Sequence, residues 1–247
     1  MASTSETGHA KNVANFDELI SFVTGYRESY NPSKATIKLD ALKALSDHAK
    51  TSINAVSSME PAYKSAVAAR EVVFIPLSKL TTRIMNSIKA TDTTVQVDEN
   101  ARTLVRKIQG VRATAKKTED EKKALAEKGK EVVEISTSQM SYDNRLDNFF
   151  KLIQLLSSVP EYNPNETELK IEHLNTILDD LKAKNAAVVE SYIPLSNARI
   201  SRNNLLYKEN TGLYDVALDV KNYIKSVFGA TSPQYKQVSK IKFTAPR

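Results

Sequence analysis

The chain has no cysteine, no tryptophan and only six glycines in 247 residues. Without cysteine there is no disulfide, no thiol nucleophile and no thiolate metal site, so the redox compartment leaves no mark on the sequence. Scarce glycine, with Ala, Leu, Lys, Ser and Asn abundant, favours helices over sheets. Long apolar runs are missing too. No stretch approaches the ~18 to 20 apolar residues that span a bilayer, and the Ser/Thr-rich Met1 to Lys11 lacks the apolar core of a secretion signal. The expected setting is therefore cytoplasmic. A helical pore-former, which needs a concealed apolar hairpin, is the least favoured class. There is also no E-x-x-H pair, no H-E-x-x-H, no glycine-rich phosphate loop and no G-x-S-x-G elbow. His9, His48 and His173 are scattered. No catalytic, metal-ligating or cofactor-binding residue is assigned, no cofactor is expected, and the chain reads as non-enzymatic.

What is present is a repeat. Tyr30-Asn31-Pro32 recurs as Tyr162-Asn163-Pro164, and Ser33 to Val56 aligns without a gap on Asn165 to Val188. Six of those positions are identical, among them Leu42/Leu174 and Val56/Val188. Upstream, Asn15-Phe16 and Leu19-Ile20 return as Asn148-Phe149 and Leu152-Ile153; downstream, Val105-x-Lys107-Ile108 returns as Val238-x-Lys240-Ile241. The offset stays at 132 or 133. Equivalent segments are expected to fold alike. The chain is expected to divide into a disordered segment 1–12, helical repeat 1 over 13–110, a charged helical connector 111–140, helical repeat 2 over 141–243 and a tail 244–247.

Turn signals are confined to Tyr30 to Ser33, Ala90 to Asp98, Val159 to Asn165 and Phe228 to Pro233. Asn165 to Glu168 carries the pattern of a capping box, and Ser33 takes the matching cap position in the first copy. Apolar residues after each cap recur at helical spacing. Pro61, Pro76 and Pro194 kink or break these helices, and kinks are preferred because no glycine accompanies them. Three segments of about 58, 62 and 64 residues follow, each roughly 90 Å long as one helix. The expected fold class is all-α: an elongated antiparallel bundle of three long helices plus short N- and C-terminal helices, pseudo-twofold from the internal duplication. If each proline is instead a tight turn, two compact bundles in tandem result.

In the rod, Phe16 to Ser29 shares one end with its repeat equivalent, and Gln234 to Phe243 shares the other with Val97 to Gly110. The first end then carries 10 basic against 13 acidic residues, the second 17 against 9. The basic end collects Arg102, Arg106 and Lys107 with Lys236, Lys240 and Lys242. These six are the candidate residues for an anionic partner, a polymer or a membrane surface. Cations at helix C-termini also simply complement the helix dipole. No aromatic stacking platform interleaves them, so there is no specific nucleic-acid signal. Arg70 and Arg202 align with each other and fall on apolar stripes. A guanidinium there needs a partner or a route to water, which makes the pair a candidate buried polar layer.

Arg106-Lys107-Ile108-Gln109-Gly110 and the closing run Phe228-Gly229-Ala230-Thr231-Ser232-Pro233-Gln234-Tyr235-Lys236, with Ser239-Lys240-Ile241-Lys242-Phe243, resemble uncharacterised tandem-repeat helical proteins of Bacteroidetes-type bacteria. The resemblance covers most of the chain, implies a bacterial cytoplasmic setting and supplies no site residues. The expected function is that of a structural or interaction protein that binds protein partners or itself.

Overall fold

A computed structural model describes residues 8–112, 118 and 140–245. The α-helices among them are α1 (His9–Gly25), α2 (Leu39–Phe74), α3 (Leu77–Lys89), α4 (Val95–Gln109), α5 (Tyr142–Ser157), α6 (Ile171–Tyr207), α7 (Leu213–Phe228) and α8 (Pro233–Ser239). There is no strand among the described residues. Local chemistry accounts for several ends. Thr94, Ser141 and Ser232 cap α4, α5 and α8, each accepting a hydrogen bond from a backbone N–H three residues on. Gly110 closes α4 at φ 70°, where a side chain is strained, and an added Cβ there would meet the sulfur of Met140 at 2.5 Å. The chain positions at the two edges of the charged connector therefore touch. The connector itself lies largely outside the described residues.

Among the described residues there are two long helices, and the expected middle one is interrupted at Gly110, beyond which most of the connector lies outside the described residues. α2 has 36 residues and α6 has 37, and both run on through a proline, Pro61 and Pro194. The expected 58- and 64-residue helices are each cut at matching places. α2 ends at Phe74 ahead of Pro76, which lacks an N–H and starts α3. α6 ends at Tyr207, and Asn210 at φ 63° turns the chain before α7. The expected caps Ser33 and Asn165 also give way, because a 3-10 turn (Ala35–Ile37, Thr167–Leu169) precedes each long helix.

The chain divides into two compact units. Unit 1 joins Met1–Tyr63 to Ser191–Arg247, and unit 2 is Lys64–Glu190. The core of unit 1 packs Phe16, Leu19, Val23, Ile37 and Leu42 against Leu206, Leu213, Val216, Val220, Ile224, Val238 and Ile241. The core of unit 2 packs Phe74, Ile84, Ile88, Val105 and Ile108 against Phe149, Leu152, Ile153, Leu156, Leu169 and Leu174. Phe16 and Phe149, expected at one end, therefore sit in different cores. Once the helices stop near Phe74 and Tyr207, the segment before Tyr63 packs with the segment after Ser191, and the residues between them form their own core. Unit 1 holds 15 basic and 10 acidic residues and unit 2 holds 20 and 19, so the expected acidic end has no counterpart in either.

Both ends of the described chain are tied down in unit 1. Residues 9–12, expected to be disordered, open α1, and the Asn12 side chain is buried. Its amide donates to the Thr244 carbonyl at 2.7 Å and accepts from the Thr244 N–H at 3.1 Å. Asn15 donates to the Lys242 carbonyl at 2.6 Å. A buried amide that meets backbone groups on both sides replaces the bonds an extended tail would otherwise make to water.

The turns before α2 and α6 share one device. The Tyr30 hydroxyl donates to the Ile37 carbonyl at 2.7 Å, and the Tyr162 hydroxyl to the Leu169 carbonyl at 2.9 Å. Burial, with the Glu166 carboxylate adding to it, pushes the Tyr162 pKa from 10.0 up to about 12. Because the folded value is raised, this contribution is complete below the unfolded pKa and is lost as pH rises through the folded one. Tyr162→Phe is expected to lose about 1 kcal/mol near neutrality. That difference from the wild type should shrink by a comparable amount on reaching about pH 11, which urea midpoints measured across the alkaline range will show.

Candidate functional site

Arg70 and Arg202, though aligned in sequence, do different things. In unit 2 the Arg70 guanidinium stacks 3.9 Å from the Tyr142 ring centroid and its Nη1 donates to Asn185 Oδ1 at 3.1 Å. Asn185 in turn donates to Asp143 Oδ1 at 2.7 Å. Tyr142 meets Phe74 edge-on at 4.8 Å. Also against Phe74 stands Arg145, an arginine that the apolar-stripe pattern does not single out. Its Nη2 donates to the Phe74 carbonyl at 3.1 Å and its guanidinium lies 5.2 Å from the Phe74 ring. Phe74 is the last residue of α2, so Arg145 answers a carbonyl that the helix leaves unpaired and sets a cation at its negative end. Burial holds the Arg145 pKa below the ordinary arginine range, and Tyr142 opposes that shift. The Nε atoms of Arg70 and Arg145 are buried without a hydrogen-bond partner. Arg70, expected to form a polar layer with Arg202, instead enters a cation and ring stack with Tyr142, Phe74 and Arg145.

In unit 1 the matching place is neutral. Residues 133 positions from Tyr142, Arg145 and Phe74 are His9, Asn12 and Tyr207. His9 Nδ1 lies 2.8 Å from the Tyr207 hydroxyl, which also accepts from Asn12 at 3.2 Å. Burial, then the charge of Arg202, lowers the His9 pKa. Arg202 bonds its neighbour Asn203 from Nε at 3.2 Å and Nη2 at 2.9 Å. Arg202 thus borders the histidine cluster of unit 1, while Arg70 belongs to unit 2. The signal that exposes Arg145 is the repeat offset from Asn12.

The six candidate cations separate into two sets. Arg102, Arg106 and Lys107 lie on α4 in unit 2, with Arg106 Nε turned back on the Arg102 carbonyl at 3.4 Å. Lys236 on α8, with Lys240 and Lys242 just beyond it, lies in unit 1 with side chains exposed. They do not form one basic cluster within a unit.

Each unit has a groove beside its long helices. In unit 2 a cavity of about 540 Å³ is lined by Val73, Leu77, Leu80, Ile177 and Leu181, with Thr176 and Asp180 among its walls. In unit 1 a cavity of about 590 Å³ is lined by His48, Thr51, Ser52, Ser201, Asn204 and Lys208. His48 and Lys208 stand where the other groove has Asp180 and Pro76. Among the described residues no group of three or more His, Asp or Glu side chains is placed to hold a metal, and no helix is long and apolar enough to cross a membrane. No family model matches the chain, and neither a curated protein nor a solved structure does.

Proposed function

We propose that this chain is a non-catalytic interaction protein built by internal duplication, its copies 13–110 and 141–243 related by a pseudo-twofold, whose helices offer faces to protein partners, a second copy of the chain among them. The duplication is supported by the paired tyrosine clamps, by long helices of 36 and 37 residues and by prolines at equivalent positions within them. The observation that carries the interaction reading is on α6. Ile193 and Ile200, seven residues apart and hence on one helix face, are 53% and 56% exposed. Paired aliphatic side chains at heptad spacing are what a second helix buries. The expected result is a mass that grows with concentration in light scattering, and an Ile193→Glu/Ile200→Glu variant of unchanged helicity that stays at the smallest mass. A wild-type mass independent of concentration sinks the self-association form of the reading.

Binding to anionic polymers or membrane surfaces is the second reading, favoured by the excess of cations in unit 1 and the exposed Lys236, Lys240 and Lys242. It differs by its steep loss with added salt.

A further inference from the structure

Each unit is assembled from halves of different copies, and the contacts where they meet carry opposite charge schemes. In unit 1 the turn of copy 1 docks on a helix of copy 2, and Lys34 Nζ lies 2.5 Å from Asp219 Oδ2 on α7. In unit 2 the turn of copy 2 docks on a helix of copy 1, and here, through neighbouring rather than equivalent positions, the polarity is reversed: Arg83 on α3 pairs with Glu168. The wider charges agree. Residues 31–38 hold Lys34 and Lys38 and no acid, and α3 holds Lys79, Arg83 and Lys89 and no acid. Residues 163–170 hold Glu166 and Glu168 beside Lys170. On α7 the two lysines are engaged elsewhere, Lys221 with the Ile241 carbonyl and the Phe243 ring, Lys225 over the Tyr235 ring. Asp215 accepts from the Asn210 N–H, which leaves Asp219 to face the turn.

Pairing like with like reverses these contacts. Copy 1 closing on another copy 1 sets the basic turn of Lys34 against the wholly basic α3. Copy 2 closing on another copy 2 sets Glu166 and Glu168 against the helix that presents Asp219. Opposed like charges at such contacts are destabilising, and arranging them on the wrong pairing is a means of specificity. We infer that the two copies are a charge-coded heterotypic pair: the surface that each half-unit presents fits the complementary copy, in its own chain or in a second chain, and rejects its own kind. The inference rests on the duplication reading above and is separate from the face of α6.

The test uses the full chain with a protease site placed in the connector, cut after folding, unfolded in urea and refolded by dilution, with pair composition read by native mass spectrometry. The mixed pair of fragments is expected to exceed either like pair by roughly tenfold, the scale of an exposed pair exchanged for a like-charge contact at two interfaces. Lys34→Glu should move the population towards copy 1 paired with itself, since an acid in the turn then suits the basic α3 and opposes Asp219. Adding Asp219→Lys should restore the mixed pair. In the uncut chain the same Lys34→Glu should lower the urea midpoint and the double variant recover it. Random pairing in the wild type, or a population that Lys34→Glu leaves in place, overturns the charge code while the duplication stands. Refolded but unpaired fragments overturn both.

Discussion

Cutting the chain once within residues 113–139 is expected to leave one particle of unchanged mass. The reason is the composition of the cores. Phe16 and Leu19 reach their packing partners only in the segment after residue 190, and Phe149 and Leu152 reach theirs in the segment before residue 110. The fragment interface is then a domain core cut in half, as in obligate dimers, and does not dissociate at roughly micromolar concentration. Gly110 and Met140 stand against each other, so the cut removes a link between points already in contact. Size exclusion with mass detection after cleavage is the measurement. Two folded fragments that elute separately would mean that each repeat closes on itself, contrary to the architecture.

The second large effect is in the cores. Phe16 and Phe149 are both fully buried, and truncation of either to alanine is expected to cost about 3–5 kcal/mol. The damage should fall in different places. Phe16→Ala should speed amide exchange first in α1 and α7, whose cores it shares, and Phe149→Ala in α4 and α5. Urea unfolding with hydrogen exchange separates these outcomes. A loss below about 1 kcal/mol at either site, or exchange that rises equally in both units, would contradict two separate cores.

Much of this was legible from residues alone. The all-helical class followed from composition and spacing, and the matched positions Phe16/Phe149, Leu42/Leu174 and Val56/Val188 are all buried. The pairing of ends was not legible, because it depends on where the long helices stop. Pro76 marked one stop, but the residues between Tyr207 and Leu213 hold no proline, and the chain turns there through the positive φ of Asn210. Asn210 and Gly212 are turn formers, but without a proline they stand out far less than Pro76. Without those stops the sequence pattern sets Phe16 and Phe149 at one end; with them, the segment before Tyr63 packs on the segment after Ser191 and Phe149 falls in the other core. The polar layer shows the same limit. Arg70 stood out on an apolar stripe, whereas Arg145 does its work on a carbonyl that is exposed only once α2 ends at Phe74.

The fastening of Thr244 to Asn12 also decides how the molecule carries mechanical load. Unit 2 is one uninterrupted stretch, Lys64–Glu190, and the two segments of unit 1 flank it on either side. Tension applied through the two ends of the chain enters and leaves through unit 1, crossing the contacts between α1 and the closing segment. While those hold, unit 2 is a slack loop that feels no pull. It comes under strain only after unit 1 has been peeled open, so unit 1 acts as a mechanical fuse for the segment between its two parts.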